Sequence, residues 1–419
     1  MKYNQWPRVK IAELCELIVD CVNKTAPSVD YETPYKMIRT PNIKGGRINL
    51  TGCRYVEKET FKKWTRRATV DKGDVLLTRE APMGEVGYVD FTDTVFLGQR
   101  IMQYRADPQK LDSAFLLYSF LSPDLQYQFR RHDSTGSIVS HIRVPDCSEF
   151  EISLPSLDEQ RKIASTLRNI DEKIALNSHI NTELEAMAKT LYDYWFVQFN
   201  FPDANGKPYK TSGGKMEYNT TLKREIPAGW SVTNIGSITK TVLGGTPSTE
   251  NDDYWKNANI PWLSSAETAS FPVVSSEQMI TSSGIENSSA TLLSKGTVVI
   301  SIVRYIRPSI LGIDAATNQS VVGIRESDIY KSSFIYPYFC SEVPRLMSLR
   351  TGAQQPHINK GVIDESPIAL PPSSTLVEYY KLANPVFDKI MAVAFQNHEL
   401  VRLRDWLLPL LMNGQVTVK

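Results

Sequence analysis

The chain has 419 residues, 42% of them hydrophobic and 22% charged, with a net charge of +1 at neutral pH, enough length for at least two domains. Its longest apolar runs, around Thr297–Val303 and Trp406–Met412, fall far short of the roughly 20 residues of a membrane span, and the opening MKYNQWPRVK has no signal-peptide core, so a soluble cytoplasmic protein is expected. The five cysteines (Cys15, Cys21, Cys53, Cys147, Cys340) are scattered, odd in number and form no CxxC pair, which excludes a disulfide framework and a zinc site as readings.

In chain order, the first 155 residues read as a mixed domain. KKWTRR sets Lys62, Lys63, Arg66 and Arg67 around Trp64, and Lys36, Arg39, Lys44, Arg47, Arg54, Arg79 and Arg100 add a pattern suited to phosphate contacts. Short apolar runs such as Gly73–Leu77, bounded by Gly, Pro and Asn turns, read as strands. After Pro155, Ser156-Leu157-Asp158-Glu159 has the form of a capping box, which predicts a long helix over 156–198. Steps of seven from Ile163 reach Ile170, Asn177, Leu184 and Leu191, and from Leu167 they reach Ile174, Asn181, Ala188 and Trp195, a heptad seam with a polar middle. Ile180, Met187 and Tyr194 are expected to widen it. The stretch 199–225 contains PDANGKPYKTSGG, a linker composition. A second mixed domain, 226–372, carries its own strand signal at Thr297–Ile302, and a second helix is expected over 373–419. There Val386, Val393, Leu400 and Leu407 form one row and Ala383, Ile390, Asn397 and Leu411 the other. Pro385 suits a first helical turn, so this helix is expected to begin late or to break there.

These elements form a duplication. Thr135-Gly136 recurs as Thr351-Gly352, and the same offset of 216 residues carries His141-Ile142 onto His357-Ile358, Leu154-Pro155 onto Leu370-Pro371, Lys173-Ile174 onto Lys389-Ile390 and Leu191 onto Leu407. Upstream, with small length changes, DKGDVLL at Asp71 matches SKGTVVI at Ser294, LGQRIM around Gln99 matches TNQSVV around Gln319, and SAFLLYSFL at Ser113 matches SSFIYPYFC at Ser332. The fold class is therefore α+β: two duplicated domains, each followed by a helix. Periodicity alone also suits two helices packed on their own domains. Duplication favours a pseudo-twofold pairing of the helices, antiparallel if the axis crosses them. About 38 helical residues at about 1.5 Å each would span roughly 57 Å, or about 17 base pairs.

The segments LPSLDEQRKIASTLRNIDEKI and NTELEAMAKTLYDYWFVQFNF, the openings WPRVKIAEL and GWSVTNIGSI, and the pieces LGGTPST, IPWLSSAE and TGAQQPHI together resemble the specificity subunits of type I restriction-modification systems, over the whole chain. The resemblance implies two target-recognition domains separated by two long helices in an antiparallel coiled coil, each domain reading half of a bipartite double-stranded DNA target. It implies two partner modification subunits that are S-adenosylmethionine-dependent adenine methyltransferases, and restriction subunits that use ATP and Mg. No catalytic residue, cofactor or metal is expected in this chain. In keeping with that, the sequence has no GxxxxGK[ST] loop and no Asn-Pro-Pro-aromatic or Asp-Pro-Pro-aromatic segment. A stand-alone bipartite DNA-binding protein and a coiled-coil adaptor without DNA affinity are the competing readings.

Base readout needs Arg for guanine, Asn or Gln for adenine, and Ser or Thr for either. On that basis Arg39, Asn42, Lys44, Arg79, Gln99 and Arg100 are the candidates in the first domain, with Trp64, Arg66 and Arg67 at the DNA backbone. In the second they are Ser264, Ser265, Arg304, Tyr305, Asn318, Gln319, Gln354 and Gln355. The turns Thr135-Gly136-Ser137 and Thr351-Gly352-Ala353 could offer amides to phosphate. For the modification subunits, Gln160, Arg161, Tyr192 and Trp195 on the first helix and Tyr379, Tyr380 and Trp406 on the second are expected on outer faces.

Overall fold

A strand with every side chain buried needs cover on both faces, and Val75–Thr78, VLLT, is such a strand. In the computed structural model, which describes residues 6–134, 141–352 and 354–418, it pairs antiparallel with Val86–Tyr88 and with Ile101–Ala106. Cys15–Asp20 adds to the far edge of Ile101–Ala106, completing a four-stranded sheet. A three-stranded sheet sets Lys36–Ile38 between an antiparallel neighbour, Arg54–Tyr55, and a parallel one, Val95–Leu97. Helix Ser113–Leu121 is capped by Asp112, whose carboxylate accepts from the Phe115 amide at 3.0 Å. Tyr104, Phe120, Phe129 and Phe150 stack edge to face through the core, with centroids 4.8 to 5.6 Å apart. Asp74, 1% exposed, accepts from Arg105 at 2.8 and 2.9 Å and from Gln103 at 2.6 Å. All of this lies in one compact unit, Met1–Ile174 with Leu400–Lys419.

The second unit, Ala175–Glu399, repeats the plan. Its four-stranded sheet runs Thr241–Leu243, Val321–Ile324, Val298–Ser301, Arg307–Ile310, and its three-stranded sheet sets Ile260–Leu263 between antiparallel Gln278–Ile280 and parallel Ala316–Thr317. Strand order and direction match the first domain throughout. The buried ion pair is not repeated: Thr297 stands at the place of Asp74, and its hydroxyl and the Arg325 Nε are buried without a hydrogen-bond partner among the described residues. The stretch 199–225 is packed rather than a loose linker. Its apolar members explain this: Phe201 is buried and stacked on Tyr209 and Trp230, at 4.8 and 5.2 Å, and Met216–Asn219 pairs with Arg224–Pro227 as a hairpin.

The central helix, Leu157–Tyr192, begins at the expected capping box, with Glu159 accepting from the Ser156 amide at 3.2 Å and its own amide donating to the Ser156 hydroxyl at 3.4 Å. The C-terminal helix runs unbroken over Ser373–Met412, so Pro385 neither starts nor breaks it. Pro385 and Lys381, whose carbonyl loses its bond, lie on the exposed side, while Ala383, Val386, Phe387 and Ile390 anchor the other side in the core. In the first unit Ile163, Ala164 and Leu167 share a core with Leu411 and Met412, and Arg404 reaches Asp171 at 3.0 Å. In the second, Asn177 donates to Gln396 at 2.8 Å, Asn181 to the Ile390 carbonyl at 3.2 Å, and Ala188, Tyr192 and Trp195 pack with Tyr379 and Ala383. Numbers rising on one helix meet numbers falling on the other, so the pair is antiparallel, with the polar middle that the heptads predict. Met187, 51% exposed, does not join the seam.

A polar group in such a seam fixes register and lowers stability. Asn177 is 1% exposed, whereas Gln396 faces solvent and can rebind water once released. Asn177→Leu is therefore expected to raise the thermal midpoint, by about 1 kcal/mol of stability. A lowered midpoint would show that the Asn177–Gln396 bond is net stabilising.

Candidate nucleic-acid interface

In both domains one segment crosses from the three-stranded to the four-stranded sheet. In the first it is Gly98-Gln99-Arg100: the Gly98 amide donates to the Ile38 carbonyl at 2.7 Å, and a Cβ at Gly98 would lie 2.8 Å from that oxygen, so a side chain there would push the two strands' ends apart. Arg100 has φ +72°, and its carbonyl accepts from the Arg79 amide at 2.8 Å. In the second domain the segment is Asn318-Gln319-Ser320, with the matching bonds from Asn318 to Leu263 and from Ile302 to Ser320, each 2.9 Å. Each crossing glutamine is clasped by a threonine. Thr25 donates to the Gln99 side-chain carbonyl at 3.2 Å, and Thr246 donates to that of Gln319. A clasped carbonyl leaves the amide nitrogen to donate elsewhere.

The first crossing lies in a cleft of about 270 Å³ whose lining includes Thr25, Met37, Arg39, Arg54, Gln99 and Arg100. The Arg39 Nε is buried without a hydrogen-bond partner among the described residues, and Arg100 pairs with Glu80 at 3.2 Å. Arg79 is turned inward, donating to the Ile142 carbonyl at 3.1 Å. Asn42 is not a reader: it is buried, accepts from the Arg39 amide at 2.9 Å and donates to the Asn49 carbonyl at 3.0 Å, so its amide braces the backbone beneath the cleft. Trp64 is likewise structural, its indole N–H bonded to the Lys24 carbonyl at 3.2 Å and its ring packed on a small core of Ala26, Met37, Val56 and Phe96. Arg67 pairs with Asp20, while Arg66 and Lys44 are exposed. Thr135, Gly136, Ser137 and Ala353 lie outside the described residues.

In the second domain Glu267 repeats the brace, its carboxylate accepting from the Ser264 amide and hydroxyl, both at 2.8 Å. Burial pushes the Glu267 carboxyl up, but donation from Glu277, Ser264 and Ser276 outweighs it and holds the group below the usual carboxylate range. Ser265 accepts through its carbonyl from the Thr268 hydroxyl at 3.1 Å. Asn318 accepts from the Ser320 amide at 3.0 Å and Gln319 is exposed. A neighbouring loop is closed by two 2.9 Å bonds between Thr351 and His357, with Gly352 at φ +98°, and presents Gln354 and Gln355 to solvent. Beside it Arg304, at φ +60°, has its carbonyl held by Arg350, and Tyr305 is 62% exposed with the Arg307 guanidinium 5.2 Å from its ring centroid. Thr25, Thr246 and Arg307 were not legible as candidates, because each owes its place to a partner strand or loop and not to a local motif.

The helix positions divide sharply. Gln160 is buried and bonded to the Asp112 amide and to the carbonyls of Lys110 and Pro155, so it joins helix to domain and is not on an outer face. Tyr192, Trp195 and Tyr379 are also buried, in one aromatic cluster, because they lie on the side of each helix that meets its partner. Tyr380 is half-buried, its hydroxyl donating to the Ile329 carbonyl at 2.9 Å. Arg161 and Trp406 are exposed, Trp406 at 62%.

The sequence model of the type I restriction modification DNA specificity domain matches residues 3–186 and again 227–395, one copy for each domain with helix. The chain belongs to this family. This specificity chain is 26% identical over 373 residues to the MjaIX type I restriction enzyme specificity subunit of Methanocaldococcus jannaschii, covering 88% of the chain and 83% of the relative. It is 21% identical over 406 residues to the HindI specificity subunit of Haemophilus influenzae, covering 84% and 88%. In fold it is similar to the S subunit of a type I restriction-modification system from M. genitalium, with TM-score 0.57, 16% identity, and coverage of 98% and 96%. It is thus a DNA target-recognition subunit, working in an assembly with DNA and other subunits. Among the described residues no helix is long and apolar enough to cross a membrane.

Proposed function

We propose that the two domains of this specificity chain each read one part of a bipartite DNA target and direct methylation or cleavage by partner subunits, the chain itself doing no chemistry. The observation that carries this is the crossing segment built twice, with a clasped glutamine in each domain. The side chains around it (Arg39, Arg54 and Arg100 in one domain, Ser264, Gln278 and Ser320 in the other) are of the kinds that read base edges and phosphates. Two modification subunits with S-adenosylmethionine, and restriction subunits with ATP and Mg, supply the catalysis, in the cytoplasm. Arg161 and Trp406 are the helix residues best suited to contact them, since both are exposed.

The test is mapping of N6-methyladenine in DNA from a host given this chain with its modification subunit, against the same host without the chain. A new split motif, two short specific parts around a fixed gap, is the expected result. A soluble, co-purifying complex that leaves no new methylation would overturn the proposal.

A further inference from the structure

Matched strand by strand through their ladders, the two domains differ in chemistry at constant architecture. The ladders set Met37 opposite Arg54 in the first domain and Trp262 opposite Gln278 in the second, so Arg54 and Gln278 are equivalent positions. The parallel pairs Met37–Phe96 and Trp262–Ala316 fix the register of the crossings, making Gln99 equivalent to Gln319 and Arg100 to Ser320. The bonds of Gly98 to Ile38 and Asn318 to Leu263 then make Arg39 equivalent to Ser264. Three arginines around one glutamine in the first domain are thus replaced by Ser264, Gln278 and Ser320 around the matching glutamine in the second. The glutamine and its threonine clasp are kept.

The three arginines are not equally available. Arg100 is engaged by Glu80, and Arg39 is half-buried with its Nε inside the fold. Arg54 is exposed at the cleft and has no ion pair among the described residues. A guanidinium presents two parallel donors that match O6 and N7 of guanine, whereas a glutamine amide presents one donor and one acceptor that match adenine.

Resting on the bipartite reading above, we propose that the two half-sites differ in the base they are selected for: the first domain reads a guanine through Arg54, and the second, with Gln278 in that place, does not. The half-site of the first domain then contains a guanine that Arg54 specifies, with the Arg39 guanidinium adding positive charge beside it.

The experiment is methylation mapping with the wild-type chain and with Arg54→Gln, Arg54→Lys and Gln278→Arg, each in the complete complex with its modification subunit, together with competition binding of the purified complexes to duplexes varied at one base. With Arg54→Gln one guanine in one half of the motif is expected to lose its preference by roughly 10- to 100-fold, the other half and the gap staying as they were. Arg54→Lys keeps the charge but not the paired donors, so it is expected to relax the same position while holding overall affinity. Gln278→Arg is expected to alter the other half, toward guanine. A wild-type motif that all three variants leave unchanged overturns the assignment alone. So does a uniform loss of affinity across sequences with Arg54→Gln that Arg54→Lys rescues, which would make Arg54 a phosphate contact. Absence of any split motif with the wild-type chain overturns the bipartite reading and this assignment with it.

Discussion

Tyr379→Ala is expected to lower stability by about 3–5 kcal/mol, the range for removing a large buried ring. Tyr379 is 0% exposed, its hydroxyl donates to the Ser333 carbonyl at 3.0 Å, and its ring meets Trp195 and Phe196 with centroids 5.6 and 4.8 Å apart. Alanine would leave a cavity between the two long helices and an orphaned carbonyl. The matched control is Trp406→Ala on the same helix. That side chain is 62% exposed, so stability should stay within about 0.5 kcal/mol of the wild type while co-purification with the modification subunit falls. Thermal melts and pull-downs of the two variants separate packing from docking. An unchanged midpoint in Tyr379→Ala would sink the packing account, and undiminished co-purification of Trp406→Ala the docking one.

Arg105→Met is expected to cost about 3 kcal/mol, because it strands a carboxylate. Asp74 is 1% exposed and depends on Arg105 for two of its hydrogen bonds, with Gln103 supplying another. Asp74→Thr, which copies Thr297 of the second domain, should cost less. Arg105 is partly exposed and keeps an ion pair with Asp71 at 2.6 Å, so its charge stays compensated. The double variant should recover part of the loss seen with Arg105→Met, since the buried charge is gone. Denaturant midpoints of the three variants decide this. Equal costs for both single variants would show that Asp74 acts through packing and not through its charge.

Heptad spacing predicts Trp195 in the seam, where it lies, while interface chemistry predicts Tyr192, Trp195 and Tyr379 on outer faces, where none of them lies: all three are buried. A seam of two rows is narrower than the apolar side of a helix that also packs on a domain. Tyr192 packs on Phe334 from the domain, and Tyr379 donates to the Ser333 carbonyl there. Proline ends a helix by propensity, but a helix anchored on its inner side by Val386, Phe387 and Ile390 carries Pro385 on the outside. Asn42 has the residue type of a base reader and the work of a brace, a distinction made by burial alone.

The linear sequence determined the duplication, because an ungapped offset of 216 residues runs through the helices and the segments before them. It determined the helix start at Ser156 and the polar middle of the pair as well, because capping and heptads are local chemistry. Tertiary structure decided which residues share a cleft. Thr25 and Gln99, or Met37 and Arg54, meet through strand pairing across loops whose lengths differ between the copies, so no single offset relates Arg54 to Gln278. Local periodicity records which way a side chain faces along one element. Only the pairing of elements, driven by burial of strands such as Val75–Thr78 and Val298–Ser301, records what it faces.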